Sequence, residues 1–172
     1  MAHKVVVMGV SGSGKSTLGL QLAQALSGSF IEGDDHHSAE SRDKMSRGIA
    51  LCDRDREPWL DRLSACMAGN EGTTIVSCSA LKRSYRARLR NGVNGLTFVF
   101  LDISLPEAIE RVSRRRGHTF PASLVADQFT ALESPAGEER VLCLSAGQAV
   151  ERNLVEAIQW IAAQPGHSEG IE

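Results

Sequence analysis

The sequence predicts an α/β domain, a doubly wound parallel sheet of about five strands with helices on both faces. Three observations predict it. Short β-branched runs alternate with longer stretches of helical period along all 172 residues, the pattern of strand–helix–strand crossovers. The strand candidates are apolar throughout instead of alternating with polar residues, as strands covered on both faces must be. A glycine-rich turn directly follows the first strand and directly precedes a helix, the position of a phosphate-binding loop.

The elements follow in order. KVVVM at residues 4–8 is the first strand, and TLGLQLAQAL after the turn is a helix with Leu18, Leu22 and Leu26 on one stripe. SFI, ending at residue 31, is the second strand, and the crowded polar segment EGDDHH, residues 32–37, lies at its carboxyl end. Residues 56–67 form a helix in which Pro58 suits the first turn and Trp59, Leu63 and Met67 recur at helical spacing. TTIVSC, LTFVFL and VLCLS are the remaining strands, each followed by a helix. The last helix covers residues 149–162, with Val150, Leu154, Ile158 and Ile161 on its apolar stripe, and the tail QPGHSEGIE is expected to fray. A chain of this length forms one domain, residues 1–172.

Charge and cysteines narrow the function. With 19 Lys and Arg against 21 Asp and Glu, the net charge of -2 gives no global reason to bind nucleic acid or an anionic membrane. No stretch is long enough to span a bilayer, and the apolar N-terminal run is too short for a signal peptide. Cys52, Cys66, Cys78 and Cys143 fall at wide irregular spacings without a CxxC pair, which fits a reducing cytoplasm better than a disulfide framework.

GVSGSGKS, residues 9–16, matches G-x-x-x-x-G-K-[ST]. Gly9, Val10, Ser11, Gly12, Ser13, Gly14, Lys15, Ser16 and Thr17 are therefore expected to bind ATP. The glycines let backbone N–H groups turn toward phosphate oxygens, Lys15 reaches the β- and γ-phosphates, and the Ser16 hydroxyl ligates Mg²⁺. The chain has no N-K-x-D and no D-x-x-G, as a small GTPase would, and TTIVSC carries no Asp for a Walker B site. A small-molecule kinase fits this combination.

A kinase that phosphorylates a hydroxyl needs a carboxylate to orient the alcohol and take its proton. EGDDHH supplies Asp34 and Asp35 where ligands bind in such sheets, beyond the strand ends. On an extended segment the two acids point to opposite sides, so only one faces the phosphates. His36 and His37, also adjacent, would then be unable to grip one transition metal. The segment could also serve only as a polar cap for a helix near residue 39.

GVSGSGKST, EGDDHH, DKMSRG, LCDRDREPWL, CSALKRSYR and RRGHTFPASLVADQFTALESP occur in the order and spacing of the bacterial-type gluconokinases, and from about residue 4 to about residue 160 the chain resembles that family. The resemblance implies a P-loop fold related to shikimate and adenylate kinases, and transfer of the γ-phosphoryl group of ATP to the terminal hydroxyl of D-gluconate. It places Asp34 opposite the γ-phosphate as base, with a further role toward Mg²⁺ through water, and aligns Arg115 with the arginine of the family's R-x-G-H motif. Lys15 and Arg115 join Asp34 as the catalytic set. The acceptor-binding segment spans about 34–70 and the lid about 114–134. The family often forms homodimers; the sequence alone does not fix the oligomeric state.

Gluconate is a carboxylate with a row of hydroxyls, so its site needs cations at one end and hydrogen-bonding groups along the rest. Arg56 and Lys82 are the expected cations and His37 a hydroxyl partner. The plainer alternatives are that Arg56 only balances Asp53 or Asp55 and that Lys82 is a solvated helix residue. Trp59 is expected in the core or a pocket wall, and Cys78 in packing. The basic run RVSRRRGH is either a solvated helix end or the start of the lid, from which Arg115 neutralises transition-state charge. Thr119, Ala87, Ser41 and Ala50 depart from the family's usual aromatic, Asp, Asn and Pro. The alternatives to gluconate phosphorylation are a kinase for another polyhydroxy acid such as shikimate, or a nucleotide-binding regulator without turnover.

Overall fold

The computed structural model describes residues 1–115 and 121–166. Five parallel strands, β1 (Lys4–Met8), β2 (Ser29–Glu32), β3 (Thr74–Ser77), β4 (Thr97–Asp102) and β5 (Val141–Ser145), stand in the order β2-β3-β1-β4-β5. Strand order reverses at β1, and the phosphate loop leaves β1 at that switch point, where open α/β sheets bind ligands. The register is continuous through the middle of the sheet: Val6 lies beside Val76 of β3 and Phe98 of β4.

The pleat explains why the central strands β1, β3 and β4 are apolar on both faces. Val5 and Val7 point into one core with Leu18 and Leu22 of α1 (Lys15–Ala25) and Ala157 and Ile161 of α7 (Val150–Ala162). Val6 and Met8 point into the other, with Trp59, Leu63 and Met67 of α3 (Asp53–Ala68) and Leu89 of α4 (Arg83–Gly92). All of these are fully or nearly fully buried, and each large apolar side chain so placed contributes about 1.5–3 kcal/mol relative to exposure. The expected strands, both covered faces and the α3 stripe are present. In α7 the buried positions are Asn153, Ala157 and Ile161, while Leu154 and Ile158 are half-buried.

Three local expectations are corrected. The third helix starts at Asp53, not 56, because Cys52 acts as its N-cap: the Asp55 carboxylate accepts from the Cys52 N–H at 3.0 Å. Pro58 therefore sits inside the helix and not in its first turn. EGDDHH is not extended; Gly33–His36 form a 3-10 turn after β2. The helix that follows, α2 (Ala39–Ser46), is capped by the Ser38 hydroxyl, which accepts from the Ser41 N–H at 3.1 Å, so capping is not the work of EGDDHH.

Two further helices complete the domain. α5 (Leu105–Arg114) begins with a capping box between Ser104 and Glu107 and ends with Arg111 and Arg114 in its last turn. α6 (Ala122–Ala131) packs against it. Of the expected lid, the end of α5, Arg115 and α6 are described; Arg116, Gly117, His118, Thr119 and Phe120 lie outside the described residues, as does most of the tail, residues 167–172.

Candidate active site

A cavity of about 670 Å³ opens at the carboxyl ends of the strands. It brings together Lys15 of the phosphate loop, Asp34 and His37 from the turn after β2, Arg56 from α3, and Lys82 from the start of α4. Residues from four separate stretches of sequence thus meet in one place, of a size suited to a small ligand.

The phosphate side is built by the loop. Gly12 and Gly14 adopt φ of 85° and 95°, the left-handed region that glycine enters without strain. The turn leaves the start of α1 without a side-chain cap, so its first N–H groups are available to an anion. The Lys15 ammonium donates to the Val10 carbonyl at 3.0 Å, folded back over the loop. Burial lowers its pKa, the Asp34 carboxylate and then Cys78 and Glu32 oppose that shift, and Arg115 adds to it. Asp34 and Arg115 are therefore both electrostatic neighbours of Lys15. Arg115 itself is exposed at the end of α5 and does not line the cavity; Ser16 is exposed in the first turn of α1.

The turn after β2 is held tightly. A Cβ on Gly33 would lie 2.0 Å from the Ser77 carbonyl oxygen, so only glycine permits this approach. The Gly33 N–H donates to the Ser77 hydroxyl at 3.1 Å, the Ser77 hydroxyl donates to Glu32, and the Trp59 indole N–H donates to the Gly33 carbonyl at 2.7 Å. Trp59 is thus a core residue that also fixes the turn. Its ring stacks on His37 at 4.1 Å between centroids. His37 is 95% buried in consequence, its Nε2 is 3.9 Å from Asp34, and its Nδ1 has no hydrogen-bond partner among the described residues. Burial first, then the cations Arg56, Arg62 and Arg42, lower its pKa to about 4. The imidazole is neutral at physiological pH, with a buried polar atom still to be satisfied.

Because the turn is 3-10, Asp34 and Asp35 do not point to opposite sides; both line the cavity. What separates them is charge: Asp34 acts on Lys15, while Asp35 is not among the groups that do. Among the described residues no cluster of three or more His, Cys, Asp or Glu could hold a metal.

At the start of α3 the acids of DRDR are occupied structurally. Asp53 accepts from Lys82 at 2.9 Å and from the Tyr85 hydroxyl, and Asp55 accepts from Lys44 at 2.7 Å. The Lys44 contact, then the Cys52 N–H, hold the Asp55 carboxyl down at about 2. Arg56 consequently has no ion pair among the described residues; it donates to the Leu51 carbonyl at 3.4 Å and lies 5.7 Å from the Tyr85 ring centre. Lys82 is neither free nor fully solvated but tethered to Asp53.

Sequence reasoning missed several residues. Arg42 of α2 adds a third cation beside Arg56 and Lys82 in the cavity lining, donating to the His37 carbonyl at 3.0 Å. Asp127 and Gln128 of α6 also line the cavity, and Gln128 accepts from the Ser11 N–H at 2.7 Å. Their only signal was their place in ADQFTALE. Of the departures, Ala50 lines the cavity, Ser41 is buried beside the α2 cap, Ala87 is exposed on α4, and Thr119 lies outside the described residues. Cys78 is buried, its thiol pushed up to about 12 by burial, in keeping with a packing role.

A family profile described as AAA domain matches residues 5–135. The thermosensitive gluconokinase of Escherichia coli (strain K12) is 45% identical over 138 residues, 78% of this chain and 74% of that protein. The gluconokinase of Gluconobacter oxydans (strain 621H) is 42% identical over 164 residues, 93% of this chain and 92% of its own. Among solved structures, a gluconokinase from Sinorhizobium meliloti 1021 superposes with a TM-score of 0.86 at 45% identity, covering 93% of this chain and 91% of that one.

Proposed function

We infer the chemistry from one premise: this chain belongs to the gluconokinases, a family of P-loop kinases. It transfers the γ-phosphoryl group of ATP to D-gluconate, giving 6-phospho-D-gluconate. The observation that carries the residue assignment is a single cavity lined both by the phosphate-loop Lys15 and by Arg56, Lys82 and Asp34.

The loop Gly9–Thr17 holds the triphosphate through its N–H groups, and Lys15 neutralises the β- and γ-phosphates. Mg²⁺ fits the oxygen donors at hand, the exposed Ser16 hydroxyl and, through water, Asp34; when bound it supplies charge for the β- and γ-phosphate oxygens. Arg56 and Lys82, with Arg42, bind the gluconate carboxylate. His37, neutral and with Nδ1 unpaired among the described residues, hydrogen-bonds a gluconate hydroxyl. Asp34 orients the terminal hydroxyl and accepts its proton as the new O–P bond forms and the bond from the γ-phosphorus to the ADP oxygen breaks. Arg115, an electrostatic neighbour of Lys15, offsets charge on the phosphoryl group in flight.

Membership in this family and free cysteines make the cytoplasm the proposed compartment; among the described residues no helix is long and apolar enough to cross a membrane. The deciding experiment is a coupled assay of ADP release with ATP, Mg²⁺ and a panel of D-gluconate, shikimate and other sugar acids. Gluconate should give the highest kcat/KM. ATP binding without turnover on any acid would overturn the assignment.

A further inference from the structure

The phosphate loop is gripped at two consecutive residues by the helix pair that flanks the undescribed segment. At Gly12 the loop lies so close to α5 that an added Cβ would stand 2.8 Å from the Ala108 carbonyl oxygen. At Ser11 the backbone N–H, in a loop whose amides exist to meet phosphate, is instead given to the Gln128 side-chain oxygen of α6 at 2.7 Å. That helix has a second commitment. Leu124, Asp127, Gln128 and Ala131, spaced as one helical face, all line the same cavity as Asp34, Arg56 and Lys82.

We propose that Gln128 is a positioning residue that couples the two substrates: by holding the Ser11 amide, it ties the acceptor-facing side of α6 to the loop that binds ATP. Gluconate settling against α6 fixes that helix, the Gln128 oxygen fixes the loop, and the loop binds triphosphate with less ordering left to do. The converse holds by linkage, so ATP tightens gluconate by the same factor. The proposal rests on the gluconokinase assignment but concerns a residue outside the groups that touch the reacting atoms.

The test measures the Kd of a nonhydrolysable ATP analogue with Mg²⁺, by calorimetry, with and without saturating D-gluconate. In the unaltered protein gluconate should lower that Kd about five-fold or more, the lower end of typical couplings. Gln128→Met keeps the length and removes the acceptor oxygen, and its ratio should fall to about one. Gln128→Glu keeps the acceptor; its charge weakens ATP binding with and without gluconate alike, so the ratio should survive. A structural role alone would shift both Kd values and leave the ratio untouched. The inference is overturned if Gln128→Met keeps the unaltered ratio, if Gln128→Glu loses it, or if gluconate has no effect on analogue binding in the unaltered protein. Turnover of gluconate by the unaltered protein, measured in parallel, tests the assigned reaction separately.

Discussion

At the scale of single residues, the choice between Asp34 and Asp35 turns on charge and not on which way an extended strand would point them. Both line the cavity, but Asp34 is the carboxylate coupled to Lys15 and close to the neutral His37. Asp34→Asn keeps size and loses the charge that takes the proton. Its kcat should fall on the order of a hundred- to ten-thousand-fold, with ATP affinity and thermal midpoint nearly unchanged, whereas Asp35→Asn should stay within about ten-fold. Steady-state kinetics on the two variants decide it; equal activity would remove Asp34 from the chemistry. The acceptor cations make a second case. Arg56→Met and Lys82→Met should each raise the KM for gluconate about ten-fold or more while that for ATP moves little, the signature of a lost charge-assisted contact on one substrate. Arg56→Met is the cleaner probe, since Arg56 has no ion pair among the described residues, whereas Lys82→Met also releases Asp53. A shift confined to the KM for ATP would move both residues to the nucleotide side.

Elements position these groups, and one buried arginine does much of it. Arg86, on α4, is fully buried and donates to the Ala80 and Leu81 carbonyls at 2.9 and 3.0 Å, to the Glu133 carbonyl at 3.0 Å and to the Glu138 carboxylate at 2.6 Å. It thereby fixes the chain between β3 and α4, directly before Lys82, against the segment that follows α6. Arg86→Met fills similar space but leaves the Ala80 and Glu133 carbonyls without their Arg86 donor, takes one of two donors from the Leu81 carbonyl, which keeps the Glu133 N–H, and leaves a nearly buried carboxylate short of one partner. Urea unfolding should show a loss of about 3–5 kcal/mol; a loss below 1 kcal/mol would mean that Arg90, also on Glu138 at 2.9 Å, suffices. Sequence periodicity found the strands and the α3 stripe because two covered faces and a 3.6-residue repeat leave a mark on composition. It could not find Arg86, because a mid-helix arginine gives no sign of a partner 52 residues away. The start of α3 was misplaced for a local reason: cysteine is not among the usual capping residues. The turn at EGDDHH escaped notice because what bends it, the contact of Gly33 with Ser77, is tertiary.

For the whole molecule, the buried ionisable groups set a pH dependence that the surface charge does not. His37 falls from the ordinary imidazole value of 6.5 to about 4 on folding, because burial and then Arg56, Arg62 and Arg42 disfavour its charged form. The unfolded chain therefore binds more protons in that window, so stability is fully present above pH 6.5 and is lost as pH falls toward 4. Glu138 moves from 4.5 to about 2, held chiefly by its bond from Arg86, so its contribution is present above pH 4.5 and is lost as pH falls toward 2. The two windows adjoin, and acid should weaken the fold in two successive steps. Each shift corresponds to about 3 kcal/mol at most. Unfolding free energies from urea titrations at intervals between pH 7.5 and 4 should decline with falling pH in the unaltered protein, and His37→Gln, which cannot take up the proton, should flatten that decline. Catalysis should follow the same proton, because an imidazolium among three arginines would unsettle the turn that carries Asp34: kcat/KM for gluconate should drop as pH falls toward 4, where the folded imidazole takes up its proton, more steeply than the thermal midpoint. A His37→Gln variant with the same slope of stability against pH as the unaltered protein would show that some other group carries the upper window.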